Sequence, residues 1–235
     1  MNLMPGVKDI FIGCTVGLPN EYSALAMIQR YFRAPVQGEV VTVDGRVPVY
    51  LCSEMFRAIT TYQQLSDLVT SIVMRPLISG RSPKVLINDQ GEGSHTTDIM
   101  RRSVRSLPVG KVIGVRVRGG TVVSETGSSD LIIPKADLVN IIIQLAQVEQ
   151  LKIAGEGEKS PGEKERAEFR KQLENMKITL KRKKELTADE FFQEEQQDED
   201  LLLALGICLW YAEVKRPARA KPRRSYIEPA HDPFA

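Results

Sequence analysis

The sequence contains few of the residues that build metal centres and redox sites. It has only three cysteines and two histidines in 235 residues, and no Cys-x-x-Cys pair is present. Zinc knuckles need such closely spaced thiolates, so this class of site is excluded. Cys14, Cys52 and Cys208 each lie in an apolar run, which is typical of buried thiols that act as small hydrophobic side chains. We therefore predict no bound metal and no cofactor.

The motifs of common enzyme classes are also missing. The best match to a phosphate-binding loop, at Gly110-Lys111, lacks both the first glycine and the final hydroxyl residue. There is no Gly-x-Ser-x-Gly elbow and no His-Glu-x-x-His pair. We therefore predict that the chain is not an enzyme. One alternative stays open, because the loop 89–98 contains four residues suited to a metal or acid–base site: Asp89, Glu92, His95 and Asp98.

The chain also lacks a long apolar segment. Its most apolar stretch, Leu201–Ala212, has 12 residues, whereas a helix needs about 20 to cross a bilayer. We interpret it as a packing or interface helix and predict no membrane partner. Met1–Lys8 does not resemble a secretory signal. Together with an odd number of cysteines, this favours a reducing, cytoplasmic compartment.

Hairpin signals dominate the first part of the chain. Asp44-Gly45 separates two β-branched runs within Glu39–Cys52, and Gly119-Gly120 does so within Lys111–Val123. Such glycine-containing pairs favour tight hairpin turns. Further strands are predicted at 9–16, 84–88 and 130–133, and helices at 20–33, 54–74 and 134–153. The predicted fold class is α+β, with an antiparallel sheet core and packing helices.

A seam rich in glycine, Ala154–Gly162, divides the chain. Before it we predict the α+β core, residues 1–154, and after a linker, 155–162, a charged helical extension, 163–214. The tail, 215–235, is basic and proline-rich and is predicted to be disordered. Four apolar residues of the extension recur at intervals of 4, 3 and 4, which places them in one narrow helical stripe. We predict a homo-oligomer that assembles through this stripe, formed by Phe169, Leu173, Met176 and Leu180.

Cationic residues concentrate in two places. On the predicted second hairpin, Arg116 and Arg118 alternate with Val115 and Val117, so both arginines share one face of the sheet. The tail holds the second group. Rows of this kind neutralise phosphates without reading the base sequence. The predicted nucleic-acid contacts are Arg101, Arg102, Arg105, Lys111, Arg116, Arg118, Lys215, Arg216, Arg219, Lys221, Arg223 and Arg224.

One segment, 110–147, carries a resemblance to a known family. Its sequence, GKVIGVRVRGGTVVSETGSSDLIIPKADLVNIIIQLAQ, resembles the end of a Whirly or PC4-like unit, where a last strand runs into a helix through a short polar start. The resemblance implies a curved antiparallel sheet whose cationic and aromatic residues bind single-stranded DNA or RNA. Whirly-like RNA-binding proteins of nucleus-forming jumbo phages are similar in having a compact core with a charged C-terminal extension.

The function predicted from these features is non-catalytic binding of single-stranded nucleic acid, RNA preferentially, with little sequence dependence. Aromatic residues make up only 6% of the chain, which favours phosphate contacts over base stacking. The first alternative is a scaffold protein that assembles through its C-terminal helices without nucleic acid. The second alternative is an enzyme whose site lies in the loop 89–98.

Overall fold

The architecture is a mixed β-sheet with helices on both faces. The computed structural model describes residues 6–17, 20–36, 45–89, 95–103, 107, 109–118, 124–125, 131–154, 163–182 and 199–215. The strands are β1 (Asp9–Val16), β2 (Tyr22–Arg33), β3 (Val47–Ile59), β4 (Lys84–Asp89), β5 (Lys111–Arg118), β6 (Ser124–Glu125), β7 (Leu131–Pro134) and β8 (Leu151–Ile153). The helices are α1 (Tyr62–Val73), α2 (Pro76–Ser79), α3 (His95–Ser103), α4 (Lys135–Gln147), α5 (Glu163–Arg182) and α6 (Asp200–Trp210), which continues into a π-helical turn (Tyr211–Lys215).

The described strands form one eight-stranded sheet in the order β6-β7-β5-β4-β1-β2-β3-β8. Parallel pairs join β1 to β4, β4 to β5, β5 to β7 and β3 to β8, and antiparallel pairs join β1 to β2, β2 to β3 and β6 to β7. The predicted antiparallel α+β sheet is therefore wrong, and the fold is α/β. The Whirly resemblance is wrong for the same reason, because β5 and β7 of the segment 110–147 pair in parallel.

The largest local error concerns residues 20–33, which the sequence predicts as a helix. They form β2, which lies between β1 and β3. Ala24–Ile28 are all buried, because their side chains face a helical layer on either side of the sheet. A strand covered on both faces has a near-continuous apolar run. Such a run also contains apolar residues at helical spacing, so periodicity cannot distinguish the two structures.

The second predicted hairpin is also wrong. β5 is a strand as expected, but it lies between β4 and β7 and runs parallel to both. Because β5 has a parallel strand on each side, it is not one arm of an antiparallel hairpin; residues 119–123, the predicted turn and second arm, lie outside the described residues. The predicted strand before Asp44, which begins at Glu39, lies wholly outside the described residues, and β3 pairs with β2 and β8.

Two predicted helices have different bounds in the structure. The predicted helix from Glu54 starts later, because β3 continues to Ile59 and α1 begins after Thr61. The Thr61 hydroxyl accepts a hydrogen bond from the Gln64 backbone N–H at 3.3 Å, which caps the helix. At the other end of the core, α4 ends at Gln147, and the last residues of its predicted span form β8.

Helix α6 is the centre of one of the two helical layers. α4, α5 and α6 pack on one face of the sheet, which we call the α6 face, and α1, α2 and α3 pack on the other. Leu201–Ala212 are buried throughout, and the Cβ position of Gly206 abuts α4. A Cβ at Gly13 of β1 would lie 2.1 Å from the Ala204 carbonyl oxygen, so only glycine permits this close approach. No helix in the described residues is long and apolar enough to span a membrane.

The predicted stripe on α5 lies partly against the chain's own core. Phe169 is buried, and Leu173 packs against the same cluster that surrounds α6. The side chains of Met176 and Leu180 lie outside the described residues. Because Phe169 is buried inside the chain, it cannot contact a second copy in this fold. Self-association through the stripe stays a prediction.

Candidate active site

The sheet has a point at which its strand order reverses. β1, β3, β4, β5 and β7 all end at one edge, which we call the carboxyl edge, and β2 begins there. After β3 the chain crosses through α1 to β4, on the other side of β1. Open α/β sheets bind ligands in the crevice outside the strand ends at such a reversal. The ends of β1 and β4 are therefore the first place to look for a site.

Two buried polar residues lie side by side at these strand ends. Thr15 of β1 is the register partner of Asn88 of β4, and each is 1% exposed. The Thr15 hydroxyl donates to the backbone carbonyl of Asp200 at 2.9 Å. The Nδ2 of Asn88 finds no acceptor among the described residues. A buried donor without a partner is destabilising by about 1–3 kcal/mol, so a water, ion or substrate atom is the usual explanation for one.

An ion pair lies next to these residues, at the start of α6. Arg57 of β3 donates from Nε to both carboxylate oxygens of Asp200, at 3.0 and 2.8 Å. Its guanidinium carbon also lies 3.7 Å from the ring centroid of Tyr22, within the range of a cation–π interaction. Asp200 accepts a further hydrogen bond from Nε2 of Gln172 at 2.8 Å. The carboxylate is thus held by a cation and an amide together.

Gln172 links this ion pair to the end of α6. Its Oε1 accepts hydrogen bonds from the backbone N–H groups of Leu201 and Leu202, both at 3.1 Å. The first N–H groups of a helix have no partner within the helix, so Gln172 of α5 satisfies two of them. One side chain therefore fixes both the start of α6 and the orientation of the Asp200 carboxylate.

Two more carboxylates at this edge are paired with cations. Glu168 of α5 lies 3.9 Å from the Arg57 guanidinium, and Glu199 pairs with Lys135 of α4. No group of three or more His, Cys, Asp or Glu residues in the described part of the chain could hold a metal ion. The residues as arranged here therefore do not fit a metal centre, and we derive no catalytic step through one.

The alternative enzyme site at loop 89–98 begins at the same edge. Asp89 is the last residue of β4 and pairs in register with Val16 of β1, while His95 is the first residue of α3. Asp98 pairs with Arg101 at 3.2 Å. Residues 90–94 and the side chains of Asp89 and His95 lie outside the described residues. The backbone alone places both ends of the loop at the reversal point.

A second charged cluster lies at the opposite edge of the sheet. Asp9 accepts hydrogen bonds from Nε of Arg30 at 3.1 Å and from Nζ of Lys84 at 3.2 Å. Burial alone would raise the pKa of Asp9, but the hydrogen bonds and charges of Arg30 and Lys84 outweigh burial and lower the pKa. Arg30 also donates to the Ala212 carbonyl at 3.1 Å. This cluster ties β1, β2 and β4 to the residues after α6.

Among the described residues, the predicted cationic contacts are spread over α3, both ends of β5 and the end of the π-helical turn. Lys111 starts β5 and Arg118 ends it, so about 23 Å of extended strand separates them. Arg116 is half-buried and Arg118 is exposed, whereas Val115 is buried on the α6 face. Arg101 and Arg102 lie near the end of α3, and Lys215 is the last described residue. The other predicted contacts lie outside the described residues: Arg105, Arg216, Arg219, Lys221, Arg223 and Arg224.

The sequence singled out the loop 89–98 at this edge as an alternative site, but not Arg57, Asp200 or Asn88. Arg57 lies in a segment predicted as helix, and Asp200 directly precedes the apolar run Leu201–Ala212, which we interpret as a packing or interface helix. Asn88 is the last residue of the predicted strand 84–88 and the next-to-last residue of β4. Its position at a strand end would have been informative only once β4 was known to be parallel to β1.

Comparisons with known proteins give two structural neighbours. No protein-family model matches the chain, and no curated protein matches it. One neighbour is a human cytomegalovirus terminase nuclease domain, Mn soaked, with 11% identity over 93% of this chain and 90% of that chain, at a TM-score of 0.47. The other is a human cytomegalovirus terminase nuclease domain with 10% identity over 89% and 85%, at a TM-score of 0.45.

These neighbours differ from the predicted family. Neither is a Whirly-like protein, and both are nuclease domains, which contradicts the predictions of a non-catalytic binder and of a chain that is not an enzyme. The identities and TM-scores are low, and they assign no role to any residue of this chain.

Proposed function

We propose that this chain is an enzyme that cleaves phosphodiester bonds in nucleic acid, with its reacting site at the carboxyl edge where β4 ends. The observation that carries the proposal is Asn88, whose buried amide has no acceptor among the described residues. An amide N–H is a donor that suits a phosphate oxygen. Its place at the reversal of the strand order is where α/β folds bind their ligands.

The residue after Asn88 supplies a candidate for proton transfer. Asp89 ends β4, and a carboxylate within reach of a water can act as a general base in hydrolysis. In such a step the water oxygen forms a bond to phosphorus and gives its proton to the carboxylate. The bond from phosphorus to the leaving oxygen breaks, and that oxygen takes a proton from solvent. His95, at the start of α3, is a second candidate for proton transfer.

Nucleic acid is the favoured substrate because of the neighbouring strand. β5 lies next to β4, and Arg116 and Arg118 are two of its last three residues. Cations at this place would contact the phosphate backbone and position it without reading sequence. The cationic tail residues 215–224 would add contacts of the same kind. Both structural neighbours are nuclease domains, and nucleases carry out this class of reaction.

The test is a cleavage assay on the full chain with labelled single- and double-stranded RNA and DNA, with Mg²⁺, with Mn²⁺ and with chelator. We expect cleavage of at least one substrate and a loss of about 100-fold or more for Asp89→Asn, the usual contribution of general acid–base catalysis. Asp67→Asn is the matched control, because Asp67 is exposed on α1 and accepts a hydrogen bond from Gln63 of the same helix. It should cleave at the wild-type rate.

A binding measurement separates catalysis from affinity. Asp89→Asn should bind the uncleaved substrate at least as well as the wild type, because the variant removes a negative charge near phosphate. Asn88→Ala should weaken binding. Absence of cleavage on all four substrates, or equal rates for wild type and Asp89→Asn, would show that this edge is not a nuclease site.

A further inference from the structure

Arg57 lies between two carboxylates and the face of an aromatic ring. Both oxygens of Asp200 accept from its Nε, Glu168 lies 3.9 Å from its Nη1, and the Tyr22 ring lies 3.7 Å away. The Arg57 side chain is 12% exposed, and the Asp200 side chain is 10% exposed. Two carboxylates from α5 and α6 thus share one largely buried cation.

Carboxylates arranged around a shared cation are also what hard divalent metals bind. We propose that Arg57 is a built-in cation that takes the position a divalent metal ion would occupy between Asp200 and Glu168. The inference concerns the edge at which we place the proposed active site, but it holds whether or not that edge cleaves nucleic acid.

Charge and hydrogen bonding explain why the Arg57 guanidinium and a divalent metal ion cannot occupy this position together. The guanidinium uses both oxygens of Asp200, and its fixed positive charge repels a second cation at the same place. Gln172 of α5 holds the Asp200 carboxylate and would continue to do so without Arg57. Removal of the guanidinium therefore leaves the Asp200 carboxylate without the Arg57 cation and leaves Glu168 beside the exposed Lys171 at 4.0 Å, and a divalent ion would replace the lost charge.

A consequence follows for the proposed reaction. Asp200 and Glu168 do not supply metal ligands in the wild-type chain. Any metal dependence of cleavage then comes from elsewhere, and the loop 89–98, which begins at this edge, is the candidate source of carboxylates.

The experiment measures Mn²⁺ binding to the full chain by the loss of the free-ion signal in electron paramagnetic resonance. Arg57→Gln removes the charge and keeps a polar side chain, and we expect it to bind Mn²⁺ at least 10-fold more tightly than the wild type. Arg57→Lys keeps a cation and should behave as the wild type. Arg75→Gln is the matched control, because Arg75 pairs with Glu54 away from Asp200, and it should gain no site.

A variant that also removes the Asp200 carboxylate tests whether the gained Mn²⁺ site is the proposed one. The double variant Arg57→Gln, Asp200→Asn should lose the gained site. If the wild type already binds Mn²⁺ tightly and Asp200→Asn removes that binding, Arg57 does not occupy the metal position and the proposal is overturned. A folded Arg57→Gln variant that gains no Mn²⁺ site overturns it as well.

Folding of the variant gives an independent readout. If Arg57→Gln is unfolded without metal, Mn²⁺ should restore its circular dichroism spectrum, because the ion replaces the missing charge. Failure of Mn²⁺ to restore it counts against the proposal. None of these results depends on nuclease activity, so a chain that gains the Mn²⁺ site but never cleaves would refute the proposed function and leave this inference standing.

Discussion

Replacement of Gly13 by alanine tests whether α6 really packs against β1. A Cβ at this position would meet the Ala204 carbonyl oxygen at 2.1 Å and the Cys208 Sγ at 2.7 Å, and real Cβ contacts are essentially never below 3.0 Å. The two backbones must therefore separate by about 1 Å, because a carbonyl oxygen within a helix cannot rotate away. Close-packed interiors transmit such strain to their neighbours. We expect a loss of about 3 kcal/mol, at the upper end of the usual range for overpacking.

Urea unfolding followed by circular dichroism measures this effect. With a denaturant dependence of about 2 kcal/mol per molar urea, the midpoint should fall by roughly 1.5 M. Gly80→Ala is the matched control, because nothing lies within 4 Å of its added Cβ and its φ of −74° suits any residue. The control should shift the midpoint by no more than about 0.25 M. Equal midpoints for Gly13→Ala and the wild type would refute the packing of α6 on β1.

Three further predictions follow from burial and charge. Because the pKa of Asp9 is lowered in the folded state, its pairing stabilises the chain above the unfolded pKa of about 3.9 and is lost as pH falls through the folded pKa. The urea midpoint of Asp9→Asn should therefore lie below that of the wild type at pH 7, and the difference should shrink at pH 3. Burial raises the pKa of Cys14 and Cys52 to about 12, and Cys208 is buried too. A thiol reagent at pH 8 should label no cysteine in the native chain and all three in guanidinium, and fast native labelling would contradict the buried positions. A chain ending at residue 160 lacks α5 and α6 and exposes the α6 face, so its spectrum should be that of an unfolded or molten chain. A cooperative unfolding transition in that truncated chain would show that the first 160 residues fold alone.

Local sequence patterns correctly predicted elements that are marked by a short apolar run or by a break before a helix. β1 and the start of β5 are short apolar runs, and α5 begins where the glycine-rich seam ends. β2 was mistaken for a helix because Ala24–Ile28 are covered on both sides of the sheet. The direction of β5 could not be predicted from Gly119-Gly120, since a turn signal does not tell whether the strand before it pairs across that turn.

The candidate site could not be predicted from local sequence patterns, because its residues are far apart in the sequence. Arg57 and Asp200 are 143 residues apart, and nothing near either one indicates the other. Their pairing follows from the way α6 lies across β1 and β2. Asn88 is unremarkable in sequence, and only its register with Thr15 shows that its amide is enclosed.

The central position of α6 also sets the order in which this chain can complete its fold during synthesis. The Thr15 hydroxyl bonds to Asp200, 185 residues later, and Arg30 bonds to Ala212, 182 residues later. Contacts of such long sequence separation form slowly, because the intervening loop must close first. β1 and β2 therefore leave the ribosome with one apolar face uncovered and keep it uncovered until α6 emerges. During that interval the nascent chain exposes strand surface that is prone to aggregation, so a chaperone that holds apolar segments would raise the yield of folded protein.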